Sequence, residues 1–258
     1  MESASETSLP RMRELLFEAV LAVATLTLWP ILDERSQGTA AQRSRAMIYF
    51  PIVGFVLGVI LAIVDKAVSF VAGPAGRSFV VLIAASVLSL GLANRGVADT
   101  VEVLRRGMRP ASTGLARIGP VGAAAAIAAF AIEIWCLSRI TDDAGRAGAI
   151  VMAMMLSRWA IIPIGYGLKP LEHWGLGIPY AGGISFREFA VSSVVALGFT
   201  MGLYQNVGLA VIVVLALTIL AMRLVLSRRM GGTSGYMLAG ACALVEVVTF
   251  AVLAALRV

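Results

Sequence analysis

Between Gly91 and Gly119 the chain reads GLANRGVADTVEVLRRGMRPASTGLARIG, with five arginines (Arg95, Arg105, Arg106, Arg109, Arg117) and a carboxylate pair, Asp99 and Glu102. If Asn94 to Arg106 is helical, Arg95, Asp99, Glu102 and Arg106 fall at i, i+4, i+7 and i+11 and share one face. Carboxylates among guanidiniums are the parts of a Mg²⁺–phosphate site. The metal takes hard oxygen ligands, and arginine takes phosphate oxygens in a planar fork. The same spacing also describes a solvated face laced by ion pairs, and spacing alone does not separate the two. Asn94 offers either a ligand amide or a helix cap. Arg105 and Arg106 suit an anionic lipid headgroup as well as a substrate phosphate.

The elements that hold this stretch are apolar. Of 258 residues 59% are hydrophobic and 14% charged, against about 25% charged in soluble proteins. That places the chain among membrane proteins, and its net charge of +6 reads as loop cations rather than a nucleic-acid surface. Eight apolar runs approach the length that crosses a bilayer: 15–32, 47–64, 78–93, 120–138, 147–166, 190–204, 207–226 and 237–256. The expected fold is all-α, a polytopic integral membrane bundle of seven to eight apolar helices forming one domain over 1–258. Helices follow because a lone segment in lipid must satisfy its own backbone. The first run, with Glu18 inside it and Trp29-Pro30 near its end, either spans or is re-entrant or interfacial. Gly54 and Gly58, four apart, predict a close helix approach. Only Gln205 and Asn206 separate the sixth and seventh runs, so a tight antiparallel pair is expected. Cys136 and Cys242 read as packing residues, and with one histidine, His173, zinc chemistry is not expected. The polar, acidic start lacks a signal peptide's basic segment, so no cleavage is expected.

Two polar connections stand out: the charged segment 94–119 and a surface loop at 167–189 containing His173 and Trp174. Counting Lys and Arg in alternate connections gives twelve on the side of 94–119 and seven on the other, so the charged segment should face the cytoplasm of a prokaryotic inner membrane. Glu18, Glu133, Arg158 and Glu246 lie inside apolar runs, where ionisable groups cost several kcal/mol, roughly 2.5–3.5 for Arg or Asp at mid-helix, unless paired or functional. They either line a transport path or pair with one another, with Arg158 fixing helix packing against a glutamate.

Three stretches resemble the cobalamin synthase family, the integral membrane adenosylcobinamide-GDP ribazoletransferases. RAMIYFPIVGFVLG (45–58) is similar to that family's Phe-Pro-Leu-Val-Gly segment. GLANRGVADTVEVL resembles its GLHLDGLADTADGL, and ARIGPVGA its DSRIGAFGA. MGGTSGYMLAGACALVEVV (230–248) resembles its GGVTGDVLGAxxELTEVL, with a weaker echo in SRWA (157–160). The resemblance implies a polytopic membrane phosphotransferase that joins adenosylcobinamide-GDP to α-ribazole or its 5′-phosphate, releases GMP and uses Mg²⁺, late in cobalamin biosynthesis. It implies Asp99, Glu102 and Arg117 as catalytic, and Arg95, Asn94, Arg158 and Arg106 as contacts to substrate phosphates. Asp99, Glu102 and Glu246 are the expected Mg²⁺ ligands. Partners would be corrinoid and nucleotide-type molecules and the lipid bilayer, with no nucleic acid; a homo-oligomer stays open.

The departures are selective. The family's three aspartates in the second stretch fall on Arg95, Asp99 and Glu102. Its DSRIG aspartate falls on Leu115, its GGVTGD aspartate on Tyr236, and the first glutamate of its ExxE on Ala243, with Glu246 kept. Glycines and apolar residues that shape helices survive, while several metal-holding positions do not. Three readings follow: a working transferase with a rearranged site, a catalytically impaired or repurposed relative that keeps the scaffold, or an unrelated small transporter.

Overall fold

A computed structural model describes residues 8–27, 39–106, 118–169, 171 and 184–256. The described residues form helices α1 (Ser8–Leu26), α2 (Ala40–Ala46), α3 (Phe50–Val68), α4 (Pro74–Leu88), α5 (Leu92–Arg106), α6 (Pro120–Arg139), α7 (Asp143–Gly165), α8 (Phe186–Val225) and α9 (Gly235–Ala255). A 3₁₀ turn, Met47–Tyr49, runs α2 into α3, and a π turn, Leu226–Met230, ends α8. Local sequence sets the starts. Thr39 and Gln42 form a reciprocal capping box on α2, and Ser185 and Glu188 do so on α8. Asp142 caps α7 by accepting the Gly145 N–H at 2.7 Å. Pro74 and Pro120 open α4 and α6, where a missing N–H costs nothing.

Five of these helices are long and apolar enough to cross a membrane. α4 and α5 make a sixth crossing only if counted as one broken span, for they meet at 83°. Leu90 and Gly91, both at positive φ, make that corner. α1 is not among the five, and residues 28–32 of the first expected run lie outside the described residues. By that count the expected seven to eight helices are not confirmed as separate spans. α8 deserves a different count. Its Gln205 has φ 41° and ψ −112°, and a Cβ on Gly208 would sit 2.6 Å from the Thr200 carbonyl oxygen. Residues eight apart in one straight helix would be about 12 Å apart along the axis. The chain therefore doubles back at Gln205, as the Gln205-Asn206 break predicted.

α7 is the axis of the bundle. Seventeen of its 23 residues are buried, which explains why its sequence has no polar face. α3 packs against it antiparallel. Cβ atoms on Gly54 and Gly58 would lie 2.5 Å from the Met154 carbonyl oxygen and 2.6 Å from the Val151 Cα. The small-residue face expected from Gly54 and Gly58 thus lets two backbones touch. Pro163 lies inside α7 near its end, and Arg223 of α8 donates Nη1 to the carbonyls of Pro163 (2.5 Å), Ile164 (3.2 Å) and Tyr166 (2.6 Å). That caps the C-terminal carbonyls with a cation where the helix dipole favours one.

The bundle has two unlike ends. At one, α5 lies against the first turns of α9 and the start of α6. There Leu171 and Lys169 exchange two 2.9 Å backbone hydrogen bonds with Thr233. The other end is bolted by ion pairs. Arg146 is 1% exposed and gives Nε to both oxygens of Asp65 (2.8 and 3.0 Å), Nη1 to the Leu137 carbonyl (2.6 Å) and Nη2 to Ser78 Oγ (2.9 Å). Arg77 bridges Asp65 (2.5 Å) and Asp143 (3.0 Å), and Lys66 reaches Asp143 (2.6 Å). This network joins α3, α4, α6 and α7. Arg146, counted from sequence among loop cations, is instead an internal tie.

Gly54→Ala should lower stability by about 1–3 kcal/mol, because the added carbon meets backbone that no rotamer change can move. Gly73→Ala, at φ −70° with nothing within 4 Å, should shift it by no more than about 0.5 kcal/mol. Thermal unfolding of both variants in detergent checks the pair, and equal effects would contradict the close α3–α7 contact.

Candidate functional site

α5 carries the charged face, and what holds it is a glycine-to-glycine crossing with α9. A Cβ on Gly96 would lie 2.5 Å from the Tyr236 carbonyl oxygen, and one on Gly240 would lie 2.6 Å from the Gly96 carbonyl oxygen. No larger residue fits either position without separating the helices. The contact fixes α5 in register, with Arg95 and Asp99 toward α9 and α6.

On this face the expected i, i+4 pattern is present. Arg95 Nε stands 3.7 Å from Asp99 Oδ2, an ion pair too long for a hydrogen bond. Both atoms are buried and have no hydrogen-bond partner. Arg95 also lies over the Tyr236 ring, with its guanidinium carbon 5.1 Å from the centroid, within cation–π range. Glu102 is more fully engaged. It accepts from Arg105 Nη2 at 2.6 Å, pairs with Arg106, and accepts the Gly122 N–H at 3.2 Å. Gly119, the residue before α6, supplies no side-chain cap, so Glu102 from α5 provides the carboxylate that the α6 N-terminus favours. The side chains of Arg105 and Arg106 are about half exposed, at 48% and 53%.

The other expected site residues fall elsewhere. Asn94 donates its amide to Ser86 Oγ at 3.1 Å and ties α5 back to α4. Arg158 is buried in α7, pairs with Glu246 of α9, and donates to Ser157 Oγ at 2.7 Å. It is committed inside the bundle, as the pairing alternative proposed, rather than presented to a phosphate. Glu133 of α6 is buried in the electrostatic field of this same pair. Glu18 pairs with Arg45 Nε at 2.5 Å. Arg109, Leu115, Arg117, His173 and Trp174 lie outside the described residues.

The expected Mg²⁺ ligand set is not gathered. Among the described residues no group of three His, Cys, Asp or Glu side chains converges. Glu246 follows Gly240 by six positions, about 9 Å along the helix, and is held by Arg158. Glu102 has two arginines and an N–H on its oxygens. Asp99 has a guanidinium at 3.7 Å, where a divalent cation would be repelled. The described donor set therefore does not fit a metal held by protein ligands alone. What it offers is a set of arginines around Asp99 and Glu102, with Asp99 Oδ2 in an ion pair but without a hydrogen bond.

Sequence reading missed two participants. Tyr236 stood out only as a departure from the family pattern, and its contact with Arg95 needed the α5–α9 crossing. The Asp65–Arg146 tie joins residues 81 apart, which no local spacing reveals.

The family model for cobalamin-5-phosphate synthase matches residues 18–254. Among curated proteins, the adenosylcobinamide-GDP ribazoletransferase of Roseiflexus sp. (strain RS-1) is 30% identical over 246 residues, covering 90% of this chain and 87% of its own. That of Pseudomonas aeruginosa (strain PAO1) is 29% identical over 254 residues, covering 95% and 99%. That of Escherichia coli O127:H6 is 29% identical over 241 residues, covering 90% and 96%. No solved structure matches the chain.

The Arg158–Glu246 pair makes a double-substitution test. Arg158→Leu alone leaves a buried carboxylate and should destabilise by about 3–5 kcal/mol, while Arg158→Leu with Glu246→Leu should recover much of that loss. Denaturant unfolding of both variants reads the difference. A double variant no more stable than the single one would show that the pair does not act as a unit.

Proposed function

The chain belongs to the cobalamin-5-phosphate synthase family, and on that premise we propose that it joins adenosylcobinamide-GDP to α-ribazole or its 5′-phosphate with release of GMP. The observation that carries this reading is the family match across residues 18–254, together with the position of the retained Asp99 and Glu102. Both carboxylates stand among arginines on the one helix locked against α9.

Release of GMP fixes the bond chemistry. A ribose hydroxyl of the incoming nucleoside must attack the phosphorus on the corrinoid side of the pyrophosphate. The phosphoanhydride oxygen leaves on GMP, and the hydroxyl gives up its proton. The reaction needs positive groups near the phosphoryl oxygens and an acceptor for that proton. Arg95, Arg105 and Arg106 supply the cations. Arg105 and Arg106 extend from Glu102 with half their surface open, so Glu102 acts as their anchor. Asp99, whose Oδ2 faces Arg95 at 3.7 Å without taking a hydrogen bond, is the carboxylate we assign to orient the hydroxyl and take its proton. Arg117 belongs to this proposal through its family position alone. The described carboxylates are engaged by arginines and offer magnesium no ligand set of their own; magnesium brought with the substrate would add positive charge at the pyrophosphate.

By the alternation of apolar runs, the side that carries the α5 arginines also carries Arg43, Arg45, Lys169, Arg187, Arg228 and Arg229. We assign it to the cytoplasmic side of an inner membrane, where the basic excess belongs and where nucleotide substrates are found. A transporter finds no support in the intramembrane charges. Glu18 is held by Arg45 and Glu246 by Arg158.

The test is GMP release from adenosylcobinamide-GDP and α-ribazole by the full chain in nanodiscs, with magnesium present. The wild type should turn over, and Asp99→Asn should lower kcat by about 10²-fold or more, the scale of a lost general base. No GMP above the protein-free background would sink the enzyme reading and leave a repurposed relative. An Asp99→Asn variant as fast as wild type would remove Asp99 from the proposed role.

A further inference from the structure

Two departures from the family pattern, far apart in sequence, meet in space. Arg95 stands where the family's first aspartate falls and Tyr236 where its GGVTGD aspartate falls, and the guanidinium of one lies 5.1 Å over the ring of the other. The Gly96–Gly240 crossing makes the meeting unavoidable, since Gly96 follows Arg95 directly and its added carbon would strike the Tyr236 carbonyl. Two carboxylates at these positions would concentrate negative charge and invite a cation. Here the cation is covalently present and an aromatic face lies under it.

We propose that Arg95 is the resident cation of the pyrophosphate site, a fixed guanidinium acting where a carboxylate-held divalent ion would otherwise act. The inference rests on the transferase reading and extends it to how the substrate is held. Three features support it. The Tyr236 ring lies 5.1 Å from the guanidinium carbon, a cation–π contact that holds the group at this crossing, and a guanidinium so held suits the fork geometry of phosphoryl oxygens. Asp99 balances the charge from 3.7 Å without taking a hydrogen bond, so Arg95 Nε remains an unspent buried donor. Buried donors are ordinarily satisfied, so this one leaves the guanidinium with hydrogen-bonding capacity not spent within the described residues. About a third of the Arg95 side chain, 32%, stays open, which gives a ligand a way in. A divalent ion bound by Asp99 would sit within reach of this guanidinium and be repelled, so arginine and protein-held metal are alternatives at this cluster.

The consequence is a change in metal dependence. The full chain in nanodiscs should bind adenosylcobinamide-GDP in excess chelator nearly as tightly as in magnesium, followed by the corrinoid absorbance or by calorimetry. Arg95→Ala should weaken binding in chelator on the order of tenfold or more, the scale of a lost charge-assisted contact, while Arg95→Lys should retain part of it. Without substrate, Mn²⁺ titration followed by electron paramagnetic resonance should show no tight site in the wild type and a gained one in Arg95→Asp/Tyr236→Asp. Binding that appears only with magnesium and is unchanged in Arg95→Ala would overturn this inference and leave the transferase reading standing. A tight Mn²⁺ site already present in the substrate-free wild type would also overturn it. No binding in either magnesium or chelator would remove the transferase reading and this inference together. Because the ligand and Mn²⁺ assays on wild type and Arg95→Ala do not need the double variant to fold, the outcome is decided even if that variant misfolds.

Discussion

The site depends on two glycines. Gly96 and Gly240 let the α5 and α9 backbones approach until carbonyl and main-chain atoms are in contact. Everything charged on α5 is placed by that crossing. Asp99 and Arg95 face inward because Gly96 does, and Glu102, two turns on, meets the start of α6 for the same reason. In a bilayer the hydrophobic effect gives helices little reason to choose one neighbour over another. Close backbone contact and buried polar pairs must supply the choice. α3 meets α7 by the same device through Gly54 and Gly58.

The second source of specificity is charge that cannot be left alone. Asp65 with Arg146, Glu246 with Arg158 and Glu18 with Arg45 each join different helices. A partnerless charge in such surroundings costs several kcal/mol. The pairs therefore penalise any arrangement of helices that separates them more than they reward the correct one. Arg223 does related work with carbonyls, closing the end of α7 that Pro163 weakens.

Much of this was legible in the residues. Continuous apolar runs gave the helices, Gly54 and Gly58 gave a close contact, Gln205-Asn206 gave a hairpin, and the spacing of Arg95, Asp99, Glu102 and Arg106 gave one helix face. These are local patterns with a period or a turn chemistry behind them. Sequence could not show which glutamate Arg158 would meet, that Arg146 was internal, or that Glu102 would cap a different helix. Each depends on a contact between segments tens of residues apart. The first run was the weakest reading for a related reason. Glu18 is stabilised by Arg45, so its hydropathy does not tell whether the helix crosses. The three-ligand metal site failed to assemble because each carboxylate met an arginine first.

The ionic bolt around Arg146 has a mechanical meaning. Four helices are tied at that end around the buried Asp65–Arg146 pair, α3 and α7 through the two charges, α4 through Arg77 and Ser78 and α6 through the Leu137 carbonyl. The other end holds α5 by packing and by arginines that are half in water. Parting the helices at the Arg146 end would leave the buried Asp65 and Arg146 charges without partners, a penalty that the half-exposed Arg105 and Arg106 do not impose at the α5 end.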